Sequence, residues 1–112
     1  MNISIIGSGY VGLITGAGLA KLGHKVICVD VMKEKVDMIN AAEPPIYEDD
    51  LPELMKEVIP KRLSATTDAR KAILDTELTF IGVGTPPTEG GSPNLTYLKQ
   101  AAETIGKALK EK

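Results

Sequence analysis

A doubly wound parallel α/β sheet is the fold this sequence predicts, and three observations predict it. Short apolar runs rich in β-branched residues alternate with helix-like patterns along the whole chain. The first run leads into Gly7-Ser8-Gly9-Tyr10-Val11-Gly12, a glycine turn set between a strand and a helix. The second run ends on an acid, Asp30. The length of 112 residues allows one small domain, and 43% hydrophobic content is enough for one core, which excludes a disordered chain.

Asn2 to Ile6 is a short apolar run closed by glycine, as expected for a strand buried on both faces. Tyr10 to Leu22 fits a helix, with Val11, Ile14, Gly18 and Leu22 at spacings of three and four and Gly23 as its left-handed stop. Lys25 to Asp30 is a second strand. Lys33 to Ala41 suits a helix with Val36 and Ile39 inward, and Pro44-Pro45 forces an extended segment after it. Asp49 to Ile59 resumes helix through Leu51, Leu54, Met55 and Val58, stopping before Pro60. Leu63 to Thr66 reads as a third strand. Thr67 or Asp68 can cap a helix carrying Ala69, Ala72 and Ile73. Leu78 to Val83 is a fourth strand, and Gly84 to Pro93, dense in glycine and proline, is a loop. Asn94 would cap a last helix with Leu95, Leu98, Ala102, Ile105 and Leu109 on one face.

Strands joined by helices run parallel through right-handed crossovers. Four of them stack in the order 3-2-1-4, the start of a Rossmann-like sheet. A complete sheet of that kind normally has six strands. Either the fourth strand is a bare edge or the chain is a piece of something longer.

Composition removes several function classes. Thirteen Lys+Arg against fifteen Asp+Glu leaves a net charge of −2, so neither nucleic acid nor an anionic membrane is an expected partner. One cysteine, Cys28, excludes an internal disulfide and a cysteine-rich zinc site, and with it a reducing cytoplasm is the expected setting. Met1 to Ala20 has no charged side chain, yet it lacks the basic start of a signal peptide and is broken by five glycines. Strand, turn and helix account for it better than a membrane span.

The glycine run fits G-x-G-x-x-G, in the strand-to-helix context that gives this pattern meaning. Gly7 permits a tight turn, Gly9 lets the backbone approach a pyrophosphate, and Gly12 lets the helix pack close to the strand. The N–H groups at the helix start face the phosphate charge. Asp30 follows Gly12 by eighteen residues; its carboxylate can accept both ribose hydroxyls and would repel a 2′-phosphate, which favours NAD over NADP. Lys33 and Lys35 soften that preference without reversing it.

With these residues on the page, the chain resembles the N-terminal NAD-binding region of the UDP-glucose/GDP-mannose dehydrogenase family over essentially its whole length. The likeness rests on Ile5-Ile6-Gly7-Ser8-Gly9-Tyr10-Val11-Gly12-Leu13, on Asp30 followed by Lys35-Val36-Asp37-Met38-Ile39-Asn40, and on Pro45-Ile46-Tyr47-Glu48. Ala65-Thr66-Thr67-Asp68 and Thr79-Phe80-Ile81-Gly82-Val83-Gly84-Thr85-Pro86 continue it. The resemblance implies that residues 1–112 form the NAD-binding domain of a longer architecture. It implies cofactor contacts from Gly7, Gly9, Tyr10, the Val11 backbone, Gly12, Asp30, Lys35 and Thr85, and places Tyr47 and Glu48 near a nucleotide-sugar site. The chain departs from the family at Glu48-Asp49-Asp50-Leu51, where Glu-Pro-Gly-Leu is common, and at Pro87 and Asn94.

The implied chemistry is oxidation of UDP-glucose to UDP-glucuronate, a step toward polysaccharides, by two hydride transfers to NAD. A cysteine thiolate captures the aldehyde, a thioester forms, and water releases the acid. That cysteine lies far downstream in the family. Cys28, mid-strand between Ile27 and Val29, reads as an inert core thiol, so no catalytic residue is expected within the chain.

His24 reads as a solvated turn residue, and Glu48, Asp49 and Asp50 as caps and dipole partners with no metal. The stripe on the last helix is either sheet-facing core or a homodimer surface, and the fourth strand is open to pairing. The alternative function is a non-catalytic module sensing NAD or NADH. Binding of UDP-glucose separates the two, since only a dehydrogenase part has use for it.

Overall fold

The computed structural model describes residues 1–7, 9–45, 49–82, 90 and 95–112, except for the side chains of Tyr10 and Tyr97. In chain order the elements are β1 (Asn2–Ile6), α1 (Tyr10–Lys21), β2 (Lys25–Val29), α2 (Lys33–Asn40) and α3 (Leu51–Val58). β3 (Leu63–Thr66), α4 (Ala69–Leu74), β4 (Leu78–Ile81) and α5 (Thr96–Lys110) complete them. The strands form one parallel sheet in the order β3-β2-β1-β4, as the alternation of patterns predicts. Val83 and most of the 84–94 loop, including Asn94, lie outside the described residues.

Alternation along the strands divides the core into two layers. Ile3 and Ile5 of β1 and Val26 and Cys28 of β2 meet α1, α2 and α3 through Leu13, Ala17, Ile39 and Met55. The intervening Ile6 and Val29 meet α4 and α5 through Ala72, Ile73, Ala101 and Ala108. Ser4, fully buried on that second face, has its Oγ 2.7 Å from Thr79 Oγ1 and 3.0 Å from Thr76 Oγ1, so its hydroxyl is satisfied inside the layer. No described helix is long and apolar enough to cross a membrane.

Local signals explain the element ends. Gly23 sits at φ +109, its N–H donates to Ala20 O, and His24 N–H donates to Leu19 O; this paired closure of α1 needs a left-handed residue. Asp68 caps α4, its side chain accepting from the Lys71 N–H at 3.0 Å. Pro52 lies in the first turn of α3, where its missing N–H costs nothing. Asn40, at the end of α2, pairs with the outer edge of β3: its Nδ2 donates to Ala65 O at 2.9 Å and its Oδ1 accepts from Ala65 N–H at 2.8 Å. The side-chain amide imitates a further strand and closes an otherwise open edge.

Two predicted helix faces are corrected. The inward face of α1 is not the whole row Val11, Ile14, Gly18 and Leu22: Val11 is 67% and Leu22 78% exposed, Ile14 packs partly buried against the core, and Leu13, Ala17 and Ala20 are buried. The helix is apolar on all sides, so periodicity gives it no direction, and the small residues decide. A Cβ on Gly16 would lie 3.2 Å from Cys28 Sγ and from Ile5 Cδ1, so the glycine side of the helix presses on the sheet. In α5 the buried residues are Ala101 and Ala108, with Ile105 packed beside them; Leu95, Leu98 and Leu109 remain exposed. The alanine side admits the close approach to α4 and turns the leucine stripe outward. Leu78 and Phe80 of β4 pair with Ile3 and Ile5 on the α1 side of the sheet and stay about two-fifths exposed, because the α1 layer sits over β1 and β2.

Candidate dinucleotide site

The strand ends that build the site are tied together by backbone hydrogen bonds. Gly7 N–H donates to Val29 O at 2.7 Å, Gly82 N–H to Ile6 O at 2.7 Å, and Asp30 N–H to Thr66 O at 3.2 Å. These bonds align the carboxyl ends of all four strands. Beyond them the chain leaves β1 toward β2 on one side, while β4 lies on the other. Open parallel sheets bind ligands at such a reversal of strand order.

A cavity of about 390 Å³ opens there, within the size range of small-molecule sites. The first turn supplies Ile6, Gly7 and Gly9, and the end of β2 supplies Val29, Asp30 and Val31. Lys35 enters from α2, Thr67 and Ala69 from the start of α4, and Gly82 from the end of β4. Gln100, Ala101 and Thr104 of α5 complete the wall.

The glycines differ in what they do. Gly7 has φ +102, the left-handed backbone that a tight turn needs. A Cβ on Gly12 would fall 2.3 Å from Gly7 O and 3.4 Å from Ile5 Cγ2, so α1 can start this close to β1 only without a side chain there. A Cβ on Gly82 would lie 3.2 Å from the Gly12 Cα, which makes Gly82 the matching small residue on β4. Gly9, the N-cap of α1, has nothing within 4 Å of its Cβ position. The protein itself therefore does not require glycine at that point. Among the described residues no side chain caps α1, and its first turn carries no acid, so a helix start with favourable charge for an anion faces the cavity.

Asp30 is half-buried at the mouth of β2. Its Oδ1 accepts the Met32 N–H at 2.8 Å, a local turn that fixes the carboxylate on the cavity wall. Of the two lysines beyond it, Lys33 pairs with Asp37 at 3.1 Å, whereas Lys35 lines the cavity. Val11, the second residue of α1, has its side chain in solvent. Tyr10 is the first helical residue. Ser8, Tyr47, Glu48 and Thr85 fall outside the described residues.

Cys28 lies one layer below this site and takes no part in it. Burial, and secondarily the charge of Asp30, push its thiol up to about 12, so it stays protonated at neutral pH. His24 sits at the opposite end of the sheet; it is half-buried rather than solvated, and its Nδ1 has no partner among the described residues. No group of three metal-ligating side chains occurs among the described residues.

The sequence pattern gave no place in the site to Gly82, Val31, Thr67, Ala69, Gln100, Ala101 or Thr104, all of which line the cavity. Gly82 carries a signal, a glycine at the end of an apolar strand. The α5 residues carry none, because their place on the wall depends on how that helix packs.

A glycine turn at φ +102, a helix start with no acid in its first turn and an acid at the second strand end, all on one cavity, define a dinucleotide-binding domain. The group fits: Gly9 leaves its approach open and the cavity carries the acid its ribose needs. Residues 1–112 match the NAD binding domain of the UDP-glucose/GDP-mannose dehydrogenase family, and the chain belongs to that family. It is 43% identical over 109 residues to UDP-glucose 6-dehydrogenase TuaD of Bacillus subtilis, covering 96% of this chain and 24% of the relative. It is 44% identical over 113 residues to GDP-mannose 6-dehydrogenase of Pseudomonas aeruginosa, covering 100% of this chain and 26% of that protein. The crystal structure of a ternary complex of GDP-mannose dehydrogenase from Pseudomonas aeruginosa superposes with a TM-score of 0.97 at 44% identity, over 100% of this chain and 26% of that one. The chain thus spans about a quarter of the length of the relatives it matches.

Proposed function

We propose that residues 1–112 are the cofactor-holding domain of a nucleotide-sugar 6-dehydrogenase that oxidises UDP-glucose to UDP-glucuronate, with its nucleophile outside this chain. The observation that carries this reading is the meeting of Gly7, Gly9, Asp30 and Lys35 on one cavity at the carboxyl ends of the strands. NAD, when bound, supplies the hydride acceptor. Gly7 and Gly12 shape the turn, Gly9 admits the pyrophosphate, and the N–H groups of Tyr10 and Val11 stand at its charge. Asp30, held by the Met32 N–H, accepts the adenosine ribose hydroxyls, and Lys35 lies alongside. Thr85, as a cofactor contact, and Tyr47 and Glu48, on the sugar side, are assigned by resemblance to the family.

The sugar is proposed as UDP-glucose on the likeness to TuaD. The GDP-mannose enzyme is as similar, so GDP-mannose is the second reading. The deciding experiment follows NADH formation by the full-length protein with each sugar nucleotide. Two NADH per UDP-glucose, and little with GDP-mannose, is expected. Turnover of GDP-mannose alone moves the substrate to the second reading. NAD binding without turnover or binding of either sugar nucleotide would move the protein to a sensor of NAD or NADH. The reaction is placed in the cytoplasm, where a thiol such as Cys28 stays reduced. The exposed leucines of α5 and the β4 edge are the surfaces on which a homodimer would form.

A further inference from the structure

The cavity extends beyond the groups that hold ribose and pyrophosphate, and α5 forms part of that extension. With pyrophosphate at Gly9 and ribose at Asp30, the base lies on the side of the cavity away from Gly9. The walls left for it are Val31, Thr67, Ala69, Gln100, Ala101 and Thr104. Val31, Ala69 and Ala101 give this part of the cavity an apolar lining on which a flat ring can lie. Of the two polar side chains that α5 brings here, Gln100 is exposed and Thr104 is half-buried.

The Thr104 hydroxyl donates to the Gln100 carbonyl oxygen one turn earlier, at 3.0 Å. A threonine hydroxyl has a single proton, so this one is engaged within α5, and the oxygen offers the cavity only lone pairs. An acceptor at that position selects a ring edge that donates. On adenine the exocyclic N6 amine is such a donor, beside the acceptor N7. We infer that Thr104 is a specificity-determining residue for the adenine base, accepting a hydrogen bond from the N6 amine. Hypoxanthine carries a carbonyl oxygen in place of that amine, and Thr104 could meet it only by giving up its bond to Gln100. This inference rests on the proposed placement of the ribose at Asp30.

The test is calorimetric titration of the full-length protein with NAD and with nicotinamide hypoxanthine dinucleotide. The wild type should prefer NAD by roughly two- to tenfold, the worth of one net hydrogen bond. Thr104→Val, nearly the same shape without the oxygen, should bring NAD down to the affinity of the hypoxanthine analogue and leave the analogue unchanged. Thr104→Ser should keep the preference, which separates loss of the oxygen from disturbance of the helix. No preference in the wild type, or a preference undiminished in Thr104→Val, overturns the inference while the cofactor site stands. Failure of the wild type to bind NAD overturns both.

Discussion

Alanine at Gly12 and alanine at Gly9 separate what the fold requires from what the ligand requires. At Gly12 the added methyl carbon would lie 2.3 Å from Gly7 O and 3.2 Å from the Gly7 carbonyl carbon. That is roughly 1 Å inside van der Waals contact, and both neighbours are backbone, which cannot rotate aside. α1 would have to lift, loosening Leu13 and Ala17 from Ile5 and Cys28. Overpacking of this kind costs about 1–3 kcal/mol, and here the upper end applies. A helical Gly-to-Ala change returns up to about 1 kcal/mol of propensity. The net is about 2 kcal/mol, equivalent to roughly 8 °C in Tm for a domain of this size.

At Gly9 the same methyl meets nothing within 4 Å, and the φ of −70 suits alanine. The weaker N-cap preference of alanine and the reduced freedom of its unfolded chain oppose each other, so Tm should move by only a few degrees. NAD affinity should nevertheless fall at least about tenfold, because the methyl occupies the space through which the pyrophosphate approaches. Thermal unfolding and calorimetric titration of both variants make the comparison. Wild-type NAD affinity in Gly9→Ala would falsify the placement of the pyrophosphate. Wild-type Tm in Gly12→Ala would refute the packing argument.

Asp30→Asn should weaken NAD by roughly ten- to a hundredfold, the worth of hydrogen bonds to a charged acceptor, and narrow the preference over NADP; equal wild-type affinity for the two cofactors would sink the role given to Asp30. Cys28 should be silent to a thiol reagent at pH 8 in the native chain and react after denaturation. Its folded thiol is raised from 9.0 to about 12, so the unfolded chain loses its proton first as pH rises. The stabilising contribution is therefore complete below about pH 9 and is lost between there and pH 12; urea midpoints for wild type and Cys28→Ala across that range would show a steeper fall in the wild type. Asp68→Ala removes the acceptor for the Lys71 N–H and should lower stability by about 1 kcal/mol, read as a reduced urea midpoint at unchanged slope.

The strand order, the glycine turn and the acid at the end of β2 were legible because each is a local pattern with one physical meaning. β-branched runs ended by glycine specify buried strands, and crossovers between parallel strands leave few arrangements. Gly7, Gly9, Gly12 and Asp30 come together because strands in that order must end at one edge of the sheet. The same local code was silent where a helix had two plausible faces. For α1, apolar all round, the burial of Leu13 rather than Val11 follows from the close approach that Gly12 and Gly16 permit. For α5, the leucines carry the more hydrophobic stripe, yet Ala101 and Ala108 are buried because only a small-residue face fits against α4 and Val29.

From those tertiary choices follow the parts of the site that sequence left unread. Gly82 matters through a 3.2 Å approach to Gly12, and Thr104 through the turn of α5 that points it at the cavity. Sequence by itself determined the fold, the kind of ligand and the residues that meet at the strand ends, since those lie within or beside single elements. Tertiary structure alone decided which helix faces were buried and which side chains of α5 line the cavity, because both depend on how closely distant backbones can approach.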